Sequence, residues 1–182
     1  MRPELKEIDW HVYGLSTQDY DYTLKIVEEI IEDRKQQLGL KINNIKVFDE
    51  QGNIIDNSSD GVEEVISDIS YYNYIENLYL WHFALWRLQG IFEGILQQEF
   101  FPEKKLQGIK AKLNYIRGQN YSIETGIFEE LIEWAKLRNA FSHFPPEQFR
   151  PSSFGQEDVY EYFELIKLTT ESLLKQKKIN AL

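Results

Sequence analysis

At 182 residues, 42% hydrophobic and 14% aromatic, the chain has the length and composition of one folded domain with a substantial core. It holds no cysteine, which excludes disulfides, thiolate metal sites and cysteine nucleophiles and suits a reducing, cytoplasmic setting. The formal net charge of −10 opposes non-specific binding of nucleic acid by the chain as a whole.

In chain order, residues 1–10 are charged and mixed and do not read as a signal peptide. The first helix is expected after Ser16 and Thr17, with Asp19 and Asp21 in its first turn, an apolar stripe of Leu24, Val27, Ile30, Ile31 and Leu38, and Gly39 as its stop. Two short apolar runs, Ile45–Phe48 and Ile54–Ile55, flank the turn-forming Asp49–Asn53, which suggests a small β-hairpin. So small a hairpin is expected to pack on helices. A second helix carries Tyr74, Leu78, Trp81, Leu85, Leu88, Phe92 and Ile95 at 4-3-4-3 spacing, a packing seam that ends near Pro102. Its most apolar stretch is interrupted by His82, Arg87, Gln89 and Glu93 and is too polar for a membrane span.

A third helix is expected from Pro102 to about Gly118, with Leu106, Ile109, Leu113 and Ile116 inward. A fourth runs from about Ile123 to Pro145-Pro146, with Phe128, Leu131, Ile132 and Ala135 inward. A fifth follows Ser152–Gly155 and ends in the basic Lys175, Lys177 and Lys178. The fold class is therefore all-α: a bundle of about five helices with a small β-hairpin insertion near the N-terminus. One domain spans 1–182, made of an N-terminal helix and hairpin over 1–61 and a helical core over 62–178.

Charge is unevenly spread. Residues 1–100 carry 19 acidic and 8 basic side chains, and residues 101–182 carry 11 and 12. Lys104, Lys105, Lys110, Lys112 and Arg117 form a run without an acid, the place where RNA phosphates would be held. The same run also fits the wet face of an amphipathic helix.

The inward stripe of the fourth helix continues into Arg138, Asn139 and Ser142, and His143 follows at the helix end. A guanidinium offers a planar fork of donors to phosphate, an imidazole moves a proton near neutral pH, and an amide can orient either. Such groups suffice to cleave a phosphodiester without metal. Arg and His in a last turn also simply complement the helix dipole. Among the other polar residues, His82 reads as a hydrogen-bonded core or interface histidine, His11 has no evident role, and Glu93 reads as solvent-facing or as part of a structural ion pair. No spacing of ligands supports a metal or other cofactor.

Leu137-Arg138-Asn139-Ala140-Phe141-Ser142-His143-Phe144 resembles the signature of the HEPN (higher eukaryotes and prokaryotes nucleotide-binding) superfamily: an arginine, a polar residue, and a histidine after four intervening residues here. The order of helices over about 62–178 is also similar. The resemblance implies a metal-independent endoribonuclease in which Arg138 and His143 are catalytic and Asn139 supports them. It further implies a homodimer with a composite cleft, 2′-hydroxyl attack giving 2′,3′-cyclic phosphate and 5′-hydroxyl ends, and a toxin, antiviral or RNA-processing role. A cognate antitoxin or regulatory protein would fit such a role. Some members of the superfamily only bind partners, so a catalytically inactive helical module is the alternative. One toxin subgroup has a tyrosine two residues after the histidine; here that position is Pro145.

Overall fold

The computed structural model describes residues 14–55, 60–143 and 154–180. Among them, five helices are seen: α1 (Gln18–Asn43), α2 (Asp60–Phe100), α3 (Ile109–Gly118), α4 (Thr125–His143) and α5 (Gln156–Asn180). Their inner faces make one core, with Leu85, Leu88, Phe92 and Ile95 of α2 at its centre against Leu113 and Ile116 of α3, Leu131 of α4 and Ile166 of α5. No described helix is long and apolar enough to cross a membrane.

α1 starts where the sequence places it, by a different device. Thr17 makes no side-chain cap; instead the Asp19 carboxylate reaches back to the Ser16 N–H at 2.7 Å and Ser16 Oγ at 3.2 Å. This acid also sits at the positive end of the helix dipole. Tyr20, Leu24 and Val27 are buried, and the Tyr20 hydroxyl meets Thr170 Oγ1 of α5 at 3.0 Å. Gly39 does not stop the helix. The end comes at Asn44, whose Nδ2 donates to the Leu40 carbonyl at 2.8 Å and whose N–H donates to Lys41 O at 3.1 Å, satisfying carbonyls the last turn leaves open.

β1 (Val47–Phe48) and β2 (Ile54–Ile55) pair antiparallel, with Phe48 opposite Ile54. The turn between them is organised by Asp49, whose carboxylate accepts from the Gln51 and Asn53 N–H groups at 3.0 and 2.7 Å and from Asn53 Nδ2 at 2.9 Å. These bonds, the Asn53 side chain first, hold the exposed Asp49 carboxyl below its ordinary range. Gly52 takes the left-handed φ of +83° that the turn needs. Phe48 and Ile54, opposite each other on one face of the pair, are 57% and 61% exposed; the side chains of Val47 and Ile55 on the other face, where packing on a helix is expected, lie outside the described residues. Local bonds to the Asp49 carboxylate shape the turn.

α2 is 41 residues long, about 60 Å at 1.5 Å per residue. It runs antiparallel to α1, since Gln98 bonds the Leu15 backbone while Arg34 pairs with Glu76 and donates to Asn77. The expected seam is buried from Trp81 to Ile95, but Tyr74 stands exposed. Indeed no α2 side chain between Val62 and Trp81 is buried. Here α2 has α1 alongside, whose own buried residues end at Val27. At the other end, Lys177 of α5 latches α2 by bonding the Glu99 carbonyl at 2.7 Å and carboxylate at 2.9 Å.

The Glu99 carboxyl is held low, first by the Gln98 amide and then by Lys177. A depressed carboxylate stabilises the fold above its unfolded pKa, and that stability is lost as pH falls through the folded value. Glu99→Gln should therefore flatten the loss of stability below about pH 4.3, read as urea midpoints across an acid series.

α3 begins at Ile109, not near Pro102. Gly108 has φ +73°, which ends any helix arriving from 102. The intervening segment is held by Gln97 Nε2, which donates to the Phe101 and Lys104 carbonyls, both at 2.6 Å. Phe101 is buried within it. α4 follows a loop pinned by Gln176, which bonds Ser122 N–H at 2.7 Å and Ser122 O at 3.0 Å.

Candidate functional site

The last three turns of α4 are clamped by aromatic rings. Trp134 packs on Tyr162 of α5 at 5.1 Å between centroids, and Phe141 stacks on His82 of α2 at 4.2 Å and meets Phe154 at 4.9 Å. His82 is thus a half-buried histidine built into the packing of α4 on α2. Leu131, Ala135, Ala140 and Phe141 are buried, and Arg138 emerges between them, half-buried. Ser142 Oγ bonds back to the Arg138 carbonyl at 2.9 Å, a hydroxyl satisfied inside its own helix.

The Arg138 guanidinium has two kinds of surroundings. Its Nη1 donates to Asn139 Oδ1 at 3.0 Å at the surface, while Nε is buried with no protein partner. Arg138 makes no ion pair among the described residues. A cation held by a neutral amide keeps its charge available to an incoming anion. Asn139 is exposed beside it. His143 is the last residue of α4, one turn beyond Asn139 on the same helical face. The His143 imidazole lies outside the described residues, as do His11 and Pro145-Pro146.

α2 and α3 share a polar cluster that the sequence pattern does not assemble. Lys112 of α3 pairs with Glu93 of α2 at 2.5 Å, with side chains 12% and 20% exposed. Gln89 donates to the other Glu93 oxygen at 2.9 Å. Tyr162 is fully buried against this group, and its hydroxyl is pushed well above the ordinary phenol range, mainly by burial, then by Tyr20 and Glu93, with Arg138 pulling the other way. Glu93 is therefore a structural ion-pair residue. The signal for this cluster was present as Gln89 and Glu93, one helical turn apart inside the most apolar helix.

The pairing also removes Lys112 from the expected RNA-binding run. Its neighbours are placed differently: Lys104 lies over the Tyr115 ring at 4.4 Å and Arg117 over Phe128 at 4.9 Å, while Lys105 and Lys110 are exposed. With Ile109, Leu113 and Ile116 buried on the opposite side, α3 has the ordinary form of an amphipathic helix. Breaking the inner pair one side at a time should be costly. Lys112→Met leaves a poorly solvated Glu93 and is expected to lower stability by about 3 kcal/mol. The double variant with Glu93→Leu should recover much of that loss, measured by urea unfolding.

No group of His, Asp or Glu among the described residues has the geometry to hold a metal ion. No protein-family model, curated protein or solved structure matches the chain.

Proposed function

We propose that the chain is a metal-independent endoribonuclease of the HEPN type, acting as a cytoplasmic homodimer in defence or RNA processing. The observation that carries this reading is Arg138: a half-buried guanidinium with a neutral partner and no acid, on the exposed edge of a rigidly clamped helix. Its free N–H groups suit the non-bridging oxygens of a phosphate, whose charge grows in the transition state. The His143 imidazole takes the proton of a ribose 2′-hydroxyl. The 2′-oxygen then bonds to phosphorus, the bond from phosphorus to the 5′-oxygen breaks, and the leaving oxygen receives a proton from an imidazolium, supplied by the second copy in a composite cleft. Asn139 holds Arg138 in place. The products are a 2′,3′-cyclic phosphate and a 5′-hydroxyl.

The test is cleavage of RNA by purified protein in excess chelator, compared with His143→Ala. Cyclic-phosphate ends that form in chelator and vanish in the variant are expected; a requirement for added metal, or full activity in the variant, rejects the mechanism.

A second reading, a catalytically silent module that binds a protein such as an antitoxin, is favoured by the aromatic surface of α2, where Tyr71, Tyr72, Tyr74, Tyr79 and Phe83 are all exposed. Expression of the chain alone separates the two. A nuclease arrests growth and Arg138→Ala relieves the arrest, whereas a silent module does neither.

A further inference from the structure

α2 is apolar on two sides. Trp81, Leu85, Leu88, Phe92 and Ile95 face the core. A second series, Tyr72, Tyr79, Phe83, Trp86 and Gly90, runs along the opposite side, since Phe83 and Leu85 lie about 200° apart around the axis. Its four rings are 66%, 58%, 61% and 39% exposed. The spacing is that of a helix–helix seam, and a helix apolar on both sides is ordinarily covered on both.

The series matches its own reverse. Turned end for end about the level of Trp81, an antiparallel second copy sets its Gly90 against Tyr72 and its Phe83 against Tyr79. A Cβ at Gly90 would meet nothing within 4 Å, so the glycine leaves a hollow in the stripe. Tyr72, the most exposed of the four rings, is the side chain that the reversal brings to it. The charges agree as well. Between Tyr72 and Gly90 the charged residues are Glu76 and Arg87 alone, three turns apart and therefore on one flank of the stripe. Reversal puts Arg87 of each copy beside Glu76 of the other. Arg87 makes no ion pair among the described residues, and Glu76 meets Arg34 through Oε2 only. The stripe is thus neutral in a chain of net charge −10, so a second copy meets no repulsion there and a polyanion meets no attraction. At about 150–250 Å² for a whole aromatic side chain, the four rings offer about 450 Å² per copy at their observed exposures. With Glu76 and Arg87, a two-fold pair buries about 1,200 Å² in total, where specific interfaces begin.

We propose that the outer face of α2 is the homodimer seam: two copies pair antiparallel, Tyr72 of each seated on Gly90 of the other, with Arg87–Glu76 ion pairs along one flank. This rests on the homodimer reading above and names its surface. The seam borders the end of α4, because Tyr79 meets His82 edge-on at 5.8 Å and His82 stacks on Phe141 at 4.2 Å. A two-fold axis at the level of Trp81 places the two α4 ends level with each other on one side of the pair.

The experiment is sedimentation equilibrium of the full chain and three variants, with urea unfolding as the control for folding. The wild type should show a monomer–dimer equilibrium. Gly90→Leu fills the hollow and should weaken the dimer at least about tenfold. Its urea midpoint at low protein concentration should hold or rise, since leucine replaces an open glycine inside a helix. Arg87→Glu sets acid against acid and should weaken the dimer to a similar degree, and adding Glu76→Lys should recover most of the loss. A wild type that stays monomeric overturns the proposal and leaves the face to a different protein. A dimer indifferent to Gly90→Leu overturns it too, and failure of the Glu76→Lys rescue rejects the antiparallel register. Dimers that respond as expected in a chain that cuts no RNA reject the nuclease reading and leave the seam standing.

Discussion

Arg138→Lys, which keeps the charge, is expected to impair RNA cleavage nearly as much as Arg138→Ala, by about 100- to 1,000-fold in kcat. The reason is geometric. Arginine meets Asn139 through Nη1 and sends Nε into the interior while other donors stay free. A lysine ammonium is a single point at the end of a flexible stem and cannot hold Asn139 and present a planar fork to a phosphate at once. His143→Ala should lose a similar or larger factor, and adding Arg138→Lys to it should cost less than the product of the two, because in the proposed mechanism both groups serve one transition state. Single-turnover cleavage of a defined RNA measures all three. If arginine merely completed the end of α4, lysine would substitute well, since a dipole is satisfied by charge alone.

The second large effect is on stability. Phe92→Ala is expected to destabilise the fold by about 3–5 kcal/mol, seen as a lowered denaturant midpoint. Phe92 is fully buried at the meeting of α2 with the other helices. The contrast is Phe83→Ala on the same helix. Phe83 is 61% exposed, and its loss should change monomer stability by less than about 0.5 kcal/mol. Should two copies associate through this face, Phe83→Ala would instead lower a midpoint that rises with protein concentration. The pair of variants therefore separates burial within one chain from burial between chains.

Much of the architecture was legible because apolar spacing reports which side of a helix faces inward. Trp81, Leu85, Leu88, Phe92 and Ile95 read as a seam and are one, and Pro102 correctly closes α2. What spacing misses is backbone conformation and the reach of neighbours. Leu106 and Ile109 are three apart, as in a helix, yet Gly108 between them turns the chain to positive φ. Tyr74 continues the seam on paper, but the buried part of α1 does not extend to it. Phe48 and Ile54 are apolar enough for a core and find none.

At the site, Arg138 and Asn139 could be read directly because they are adjacent on one helix, and the structure joins them. Gln89, Glu93, Lys112 and Tyr162 could not. They come from three helices, and only the fold brings a lysine 19 residues away onto Glu93. Polar residues on apolar helices were the available sign, and that sign does not say which of them meet.

The length of α2 carries a consequence for cooperativity. One continuous rod passes from a densely packed body into a stretch, between Val62 and Trp81, where no side chain is buried. Protection of backbone amides should fall along it, high around Leu88 and low around Tyr71, because local opening there gives up little apolar contact. A cooperative melting transition would report the body of the molecule, while the distal portion of the rod frays beforehand without being counted.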